Sequence, residues 1–214
     1  MFVEFVEGPL WYFSAAVFVL GVIWRLSGIL RLRRRKKDLS IPRASAAVGA
    51  LKAQFLHFVP HGGFTFRTLY HLVAGYAFHL GLFVLVLWAA PHIKFIEANI
   101  VAVPWEPLPR WGFIIAAQFA FAGLMLLWVR RISDPVMIKL SDRDDHVSAW
   151  LTFGVMLTGC MALQESVQAL RVLHMMFVEI WLLYFPFSRL MHAFTFAFSR
   201  GYTGALFGRR GVVP

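Results

Sequence analysis

The sequence predicts an all-α membrane protein: five transmembrane helices, the N-terminus outside and the C-terminus in the cytoplasm. Two observations carry this. Of 214 residues, 59% are hydrophobic and 16% aromatic, and the mean hydropathy is +0.67. A soluble domain of this size cannot cover so much apolar surface. The second observation is the placement of charge. The chain holds 21 Lys and Arg against 11 Asp and Glu, a formal net charge of +10. The basic residues are gathered into a few segments between apolar runs. That is the pattern that orients membrane proteins, rather than a basic face for nucleic acid.

Each element follows in order. The first span is expected at about residues 10–30, with Trp24 and Arg25 towards its end. The leading MFVEFVEGPLWYF lacks the basic start of a cleaved signal peptide, so this segment is expected to stay. The second span is expected at 69–90, stopped by Pro91. The third covers 111–128, the fourth 147–163 and the fifth 172–196, each near the length needed to cross. Residues 31–67 form a basic loop, with RLRRRKK at 31–37 and then Arg43, Lys52 and Arg67. Arg130, Arg131, Lys139 and Arg143 follow the third span, and Arg200, Arg209 and Arg210 follow the fifth. The opposite side holds Lys94, Arg110 and Arg171, with Glu4 and Glu7 at the start. This asymmetry places the 31–67 loop and the tail in the cytoplasm, where they suit anionic lipid or a docked subunit. No repeat or second domain is visible, so residues 1–214 are expected to form one membrane domain. The lone Cys160 excludes an internal disulfide and a cysteine-built iron–sulfur cluster.

The histidines carry the chemistry. His79, His174 and His192 fall inside apolar runs, where an imidazole is costly without a task or a partner. Histidine is a common axial ligand of haem iron. His174 and His192 are eighteen residues apart. On one continuous helix that is about five turns and about 27 Å, so both would project from one face, near opposite membrane surfaces. Such spacing suits two stacked haems passing electrons across the bilayer.

At this point the residues carry a resemblance. LHMMFVEIWLLYFPFSRLMHAF, Leu173 to Phe194, resembles the last helix of the gamma subunit of respiratory nitrate reductase. In that family a histidine is followed eighteen residues later by an FPFS(R/K)LVH-like ending. VRRISDPVMIKLSDRDDH, with Thr158-Gly159 beyond it, is similar to the loop between helices three and four and the helix that follows. YAFHLGLF, from Tyr76, resembles the start of the ligand-bearing second helix. The related membrane cytochrome b of the sulfite-reductase-associated complex shares the pattern. The resemblance covers the chain from about residue 69 onward. It implies a prokaryotic inner-membrane haem b subunit, exchanging electrons between a quinone and an iron–sulfur partner subunit on the cytoplasmic side.

Two bis-histidine haems need four imidazoles. By resemblance His79 is the partner of His192 at the cytoplasmic side. The family carries its next ligand ten residues further on, where this chain has Ala89. His92 lies at a depth that suits His174, but thirteen residues leave it about 140° from His79 on an ideal helix. Pro91 would have to distort or end the helix for His92 to turn inward. His71 is a further candidate, and the outer haem is otherwise absent or differently ligated. His57, His61 and His146 are read as interfacial polar residues. Arg189 either neutralises a haem propionate or snorkels to the surface. Glu179, inside the fifth span, is a functional candidate by position. Lys94 is a loose positional match to a lysine that assists the family's quinol site.

The sequence therefore predicts the membrane anchor of a multisubunit respiratory oxidoreductase, with haem b, two copies expected, and a quinone as its substrate. No terminal-substrate chemistry and no catalytic residue are expected in this chain, which has no GxGxxG or Walker motif. Two alternatives stay open: a single-haem electron conduit, or a cofactor-free scaffold whose histidines are helix-packing polar groups.

Overall fold

A computed structural model describes residues 1–33, 41–56, 58, 65–164 and 166–212. The basic residues 34–37, and His57 and His61, lie outside the described residues. All regular structure in the described residues is helical: α1 (Phe2–Phe5), a π-turn (Val6–Leu10), α2 (Trp11–Arg33), α3 (Ala46–Leu56), α4 (Thr65–Trp88), α5 (Ala90–Asn99), α6 (Arg110–Ser133), α7 (Pro135–Leu140), α8 (Arg143–Ala162), α9 (Gln168–Tyr184) and α10 (His192–Arg209). Pro9 lies in the π-turn. Its ring cannot donate and crowds the preceding turn, which a widened turn relieves. Among the described residues four segments are long and apolar enough to cross a membrane: Phe2–Arg31, Thr68–Trp88, Arg110–Ser133 and Gln168–Phe187.

The chain divides into two compact units. The first comprises Met1–Ala15 and Tyr70–Leu183; the second comprises Ala16–Leu69 and Tyr184–Pro214.

In the first unit α4 and α6 meet through small residues. A Cβ on Gly81 would lie 2.7 Å from Ala116 O, and one on Gly123 would lie 2.6 Å from Ala74 O. Close backbone approach of this kind is how helices associate in lipid. Around it lie Phe78, Leu85, Phe113, Ala116, Ala120, Leu124 and Met156. Helix α8 packs on α6 through Phe121–Phe153 and Trp128–Trp150, ring centres 5.1 and 5.0 Å apart. It also receives a hydrogen bond from α9, Trp181 Nε1 to Thr152 Oγ1 at 3.1 Å. The sequence expected α8 as a span, yet it is not among the four apolar crossings. The physical reason is its inner face: Asp145, Ser148, Thr152 and Thr158 are buried polar residues. The turn before it is firmly built. Asp134 caps α7 by accepting from Val136 N and Met137 N, and these bonds hold its carboxyl below its ordinary pKa. Asp142 and Asp145 form a reciprocal capping box on α8. Arg131 pairs with Asp145 at 2.8 Å.

In the second unit Phe18, Phe185 and Phe194 form an aromatic cluster with ring centres 5.2 to 5.9 Å apart. Gly21 leaves room for the Pro186 ring. Helices α3 and α10 pack closely against each other.

One expectation is corrected here. A continuous helix over 172–196 does not form: α9 ends at Tyr184, and two single 3-10 turns, Phe185–Phe187 and Arg189–Met191, separate it from α10. Pro186 has no donor to continue the ladder. Ser188 then adopts extended backbone (φ −112°, ψ 176°), and its hydroxyl accepts from Leu190 N. The eighteen-residue, one-face argument linking His174 to His192 therefore fails, because helical phase does not carry through such a break.

Candidate functional site

The site begins with a second break. Helix α4 stops at Trp88, Ala89 is extended (φ −73°, ψ 130°), and α5 restarts with Pro91 in its first turn. Pro91 offers no N–H, and the break frees the carbonyls of Val86, Leu87 and Trp88 from their usual helical partners. Each has a replacement. His92 Nδ1 lies 2.9 Å from Val86 O, Trp105 Nε1 donates to Leu87 O at 2.8 Å, and Leu108 N donates to Trp88 O at 3.2 Å. Non-helical backbone in an apolar setting requires such substitutions. The break also resets rotation, so the 140° mismatch expected between His79 and His92 no longer applies.

The reset brings His92 to His174. Their ring centres are 6.0 Å apart and their planes differ by 23°. His174 Nδ1 is 3.1 Å from Thr158 Oγ1, whose hydroxyl has carbonyl acceptors at Gly154 and Val155. The threonine proton is thereby directed to the backbone, and its oxygen accepts from His174. Gly159 makes room for the imidazole: a Cβ there would stand 2.9 Å from His174 Cε1.

Both rings line a cavity of about 450 Å³, within the range of small-molecule and cofactor sites. Leu85, Phe113, Val155 and Met156 supply much of its apolar wall. Glu7 and Arg171 also line it and form an ion pair with each other. Trp11 meets Phe95 edge to face, ring centres 5.2 Å apart, and both residues border the cavity.

The histidines share one tautomer. Carbonyls only accept, so Nδ1 carries the proton in His92, in His79 (2.7 Å to Gly75 O) and in His192 (2.8 Å to Arg189 O). His174 follows by the threonine argument. Each ring then holds its lone pair on Nε2, the arrangement of a metal-ligating histidine whose other nitrogen is anchored.

The ring-centre spacing of the His92–His174 pair, 6.0 Å, is that of two imidazoles on one iron. A metal–imidazole bond is about 2 Å and the ring centre lies about 1.1 Å behind the nitrogen, so two imidazoles on one iron have centres about 6 Å apart. Among the described residues no three His, Cys, Asp or Glu side chains converge as a metal site. A porphyrin brings four nitrogens of its own and asks the protein for only two, whereas a structural zinc site asks for four.

His79 belongs to the first unit, half-buried beside Phe78 at a ring-centre distance of 4.7 Å. His192 and Arg189 belong to the second unit, where both are exposed at the start of α10 and in the turn before it. Lys94 is exposed on α5, two residues past His92, and does not line the cavity. Glu179 is 1% exposed, and neither carboxyl oxygen has a hydrogen-bond partner among the described residues. Sequence reasoning missed the Glu7–Arg171 pair, counting both residues only as topology charges. Their 164-residue separation leaves no local signal.

No family model matches the chain, and no solved structure does. A protein of Nitratidesulfovibrio vulgaris (strain Hildenborough), described simply as "Protein", is 28% identical over 210 residues, covering 94% of this chain and 91% of its own length. That relative matches the chain nearly end to end and names no chemistry.

Proposed function

We propose that the chain is a haem b membrane-anchor subunit of a respiratory oxidoreductase, passing electrons between membrane quinol or quinone and an iron–sulfur partner on the cytoplasmic side. The observation that carries this reading is the His92–His174 pair: two anchored imidazoles with ring centres 6.0 Å apart, on the wall of an apolar cavity. Bound haem would supply a one-electron couple there. His92 and His174 would hold the group, with Val86 O and Thr158 fixing the two rings and the apolar wall excluding water. Arg171, paired with Glu7, would offer its guanidinium to a carboxylate of the group.

A second haem on His79 and His192, with Arg189 at a propionate and Lys94 beside a quinol, extends the reading from the sequence resemblance. The five-span topology belongs to it as well. Helix α8 is about 30 Å long and packs on α6 and α9, both apolar enough to cross. Counting it as the fifth crossing puts Met1 outside and the basic segments inside.

The test is a visible spectrum and redox titration of the purified subunit. His92→Ala and His174→Ala should lose the same Soret component, and His192→Ala a different one. Trp105→Phe orphans the neighbouring Leu87 carbonyl without touching a ligand, and should keep both. If Trp105→Phe loses the component as well, His92 acts through the backbone break and not through iron. No Soret band in the parent supports the scaffold, and one titration step supports a single haem.

A further inference from the structure

The α3–α10 pair is built inside out for water. The two helices run antiparallel: Ser45 O approaches Gly208, and at the other end Gln54 Nε2 donates to Ala197 O at 2.8 Å. The contact face is made of Gly49, Ala53, Gly204 and Gly208, all buried. A Cβ on Gly208 would stand 2.6 Å from Gly49 Cα. The large apolar side chains point away from this seam. Leu51 is 63% and Phe55 68% exposed, and Val48, Phe196, Phe198 and Phe207 are exposed as well. A helix pair in water buries its large apolar residues and exposes small or charged ones. A pair in lipid does the reverse, because the surrounding tails are as apolar as leucine and close approach supplies the attraction.

We propose that the α3–α10 pair is embedded in the bilayer, its large side chains among acyl chains and its basic residues at anionic headgroups. Two observations choose lipid over a protein partner. On α10 the outward apolar residues occupy both flanks of the seam: at about 100° per residue, Phe194, Phe198 and Tyr202 fall on one side and Phe196 and Phe207 on the other. The intervening far side holds neutral Thr195, Ser199 and Thr203. A docked protein would cover one flank; lipid covers both. Charges at one end of the pair are also placed for headgroups, while Lys52 and Arg200 lie mid-helix, Arg200 over the Phe58 and Phe196 rings. Arg43, Arg209 and Arg210 gather where the N-terminal end of α3 meets the C-terminal end of α10, tied by Arg43 N to Arg209 O at 2.8 Å. Between the helices, Ala50, Ala197, Phe198, Gly201 and Tyr202 line a mostly apolar groove of about 220 Å³. Helix α10 is about 27 Å long and α3 about 16 Å. The segment read from sequence as extramembrane loop and tail thus holds a membrane-embedded element.

The experiment uses the full chain with Cys160→Ala and a single bimane-labelled cysteine at Leu51, Phe55 or Phe198. The protein is placed in phosphatidylcholine vesicles with or without phosphatidylglycerol. A label at Val19, exposed within the first apolar span, is the reference. A spin-labelled lipid should remove most of the fluorescence at all three sites, as at Val19, while aqueous iodide removes little. Strong iodide quenching and weak lipid quenching at the three sites, with Val19 still lipid-quenched, overturns the proposal alone. Failure at Val19 too overturns the membrane reading beneath it. Phosphatidylglycerol should strengthen lipid quenching, and the double variant Arg43→Gln, Arg210→Gln should lose that increment. An unchanged increment removes anionic headgroups as the partner.

Discussion

Thr158→Val is a sharp probe of the site because it removes the anchor of His174 along with only that hydroxyl's own bond to the α8 backbone. Valine keeps the shape and deletes the oxygen that His174 Nδ1 meets at 3.1 Å. Two effects follow. The imidazole N–H loses its acceptor in an apolar surrounding, at a cost of about 1–3 kcal/mol. Its ring is no longer held, and loss of an anchor behind a metal-bound histidine typically lowers affinity about 10–100-fold. In a haem held by His174 the hydrogen bond would raise the basicity of Nε2 and favour the ferric state. If about 1 kcal/mol of it discriminates between redox states, the midpoint rises by about 40 mV. The assay is haem retention on dilution together with a redox titration of the component assigned to His92 and His174. Thr158→Ser should restore both values. The reasoning is refuted if Thr158→Val leaves retention and midpoint unchanged, or if it moves a component that survives in His92→Ala.

Further outcomes are specific. Gly159→Val should displace the His174 ring, since even a Cβ would stand 2.9 Å from Cε1, and haem content should fall while α8 helicity, read by circular dichroism, persists. Gly81→Leu should separate α4 from α6 and destabilise the subunit by about 1–3 kcal/mol or more through overpacking, read as the midpoint of thermal unfolding in detergent. Arg171→Gln should release Glu7 and weaken retention of the cavity's occupant several-fold, whereas Arg171→Lys keeps the charge and part of the effect, both read by dilution. Asp134→Asn should preserve the α7 cap and remove its acid sensitivity. With the folded carboxyl below its ordinary 3.8, the charged cap contributes above that pH and is lost as pH falls through the lowered value. Amide exchange at Val136 and Met137 reports it.

The sequence was informative where apolar length and charge speak directly. Spans near residues 10–30, 69–90 and 111–128 correspond to long apolar helices. Pro91 as a helix stop was readable, and so was the approach of His92 to His174 that depends on it. What the break does with its orphaned carbonyls was not readable, because Trp105 and Leu108 are far along the chain and give no periodic signal. The fifth span also corresponds to a long apolar helix, but it ends earlier than residue 196, because Pro186 in FPFS stops the helical ladder. Helix α3 was hidden inside a basic segment, where the charges outweighed eleven mostly small and apolar residues.

The break at Ala89 also divides labour along the chain. Within a continuous helix, moving one residue turns every later side chain, so packing and ligation compete for one angular setting. Here α4 can be tuned against α6, through Phe78 and Gly81, while α5 carries His92 on an angular origin of its own. A histidine thirteen residues past His79 thus comes to face His174. Selection could lengthen or shorten the link between the two parts, so long as the three exposed carbonyls keep their donors.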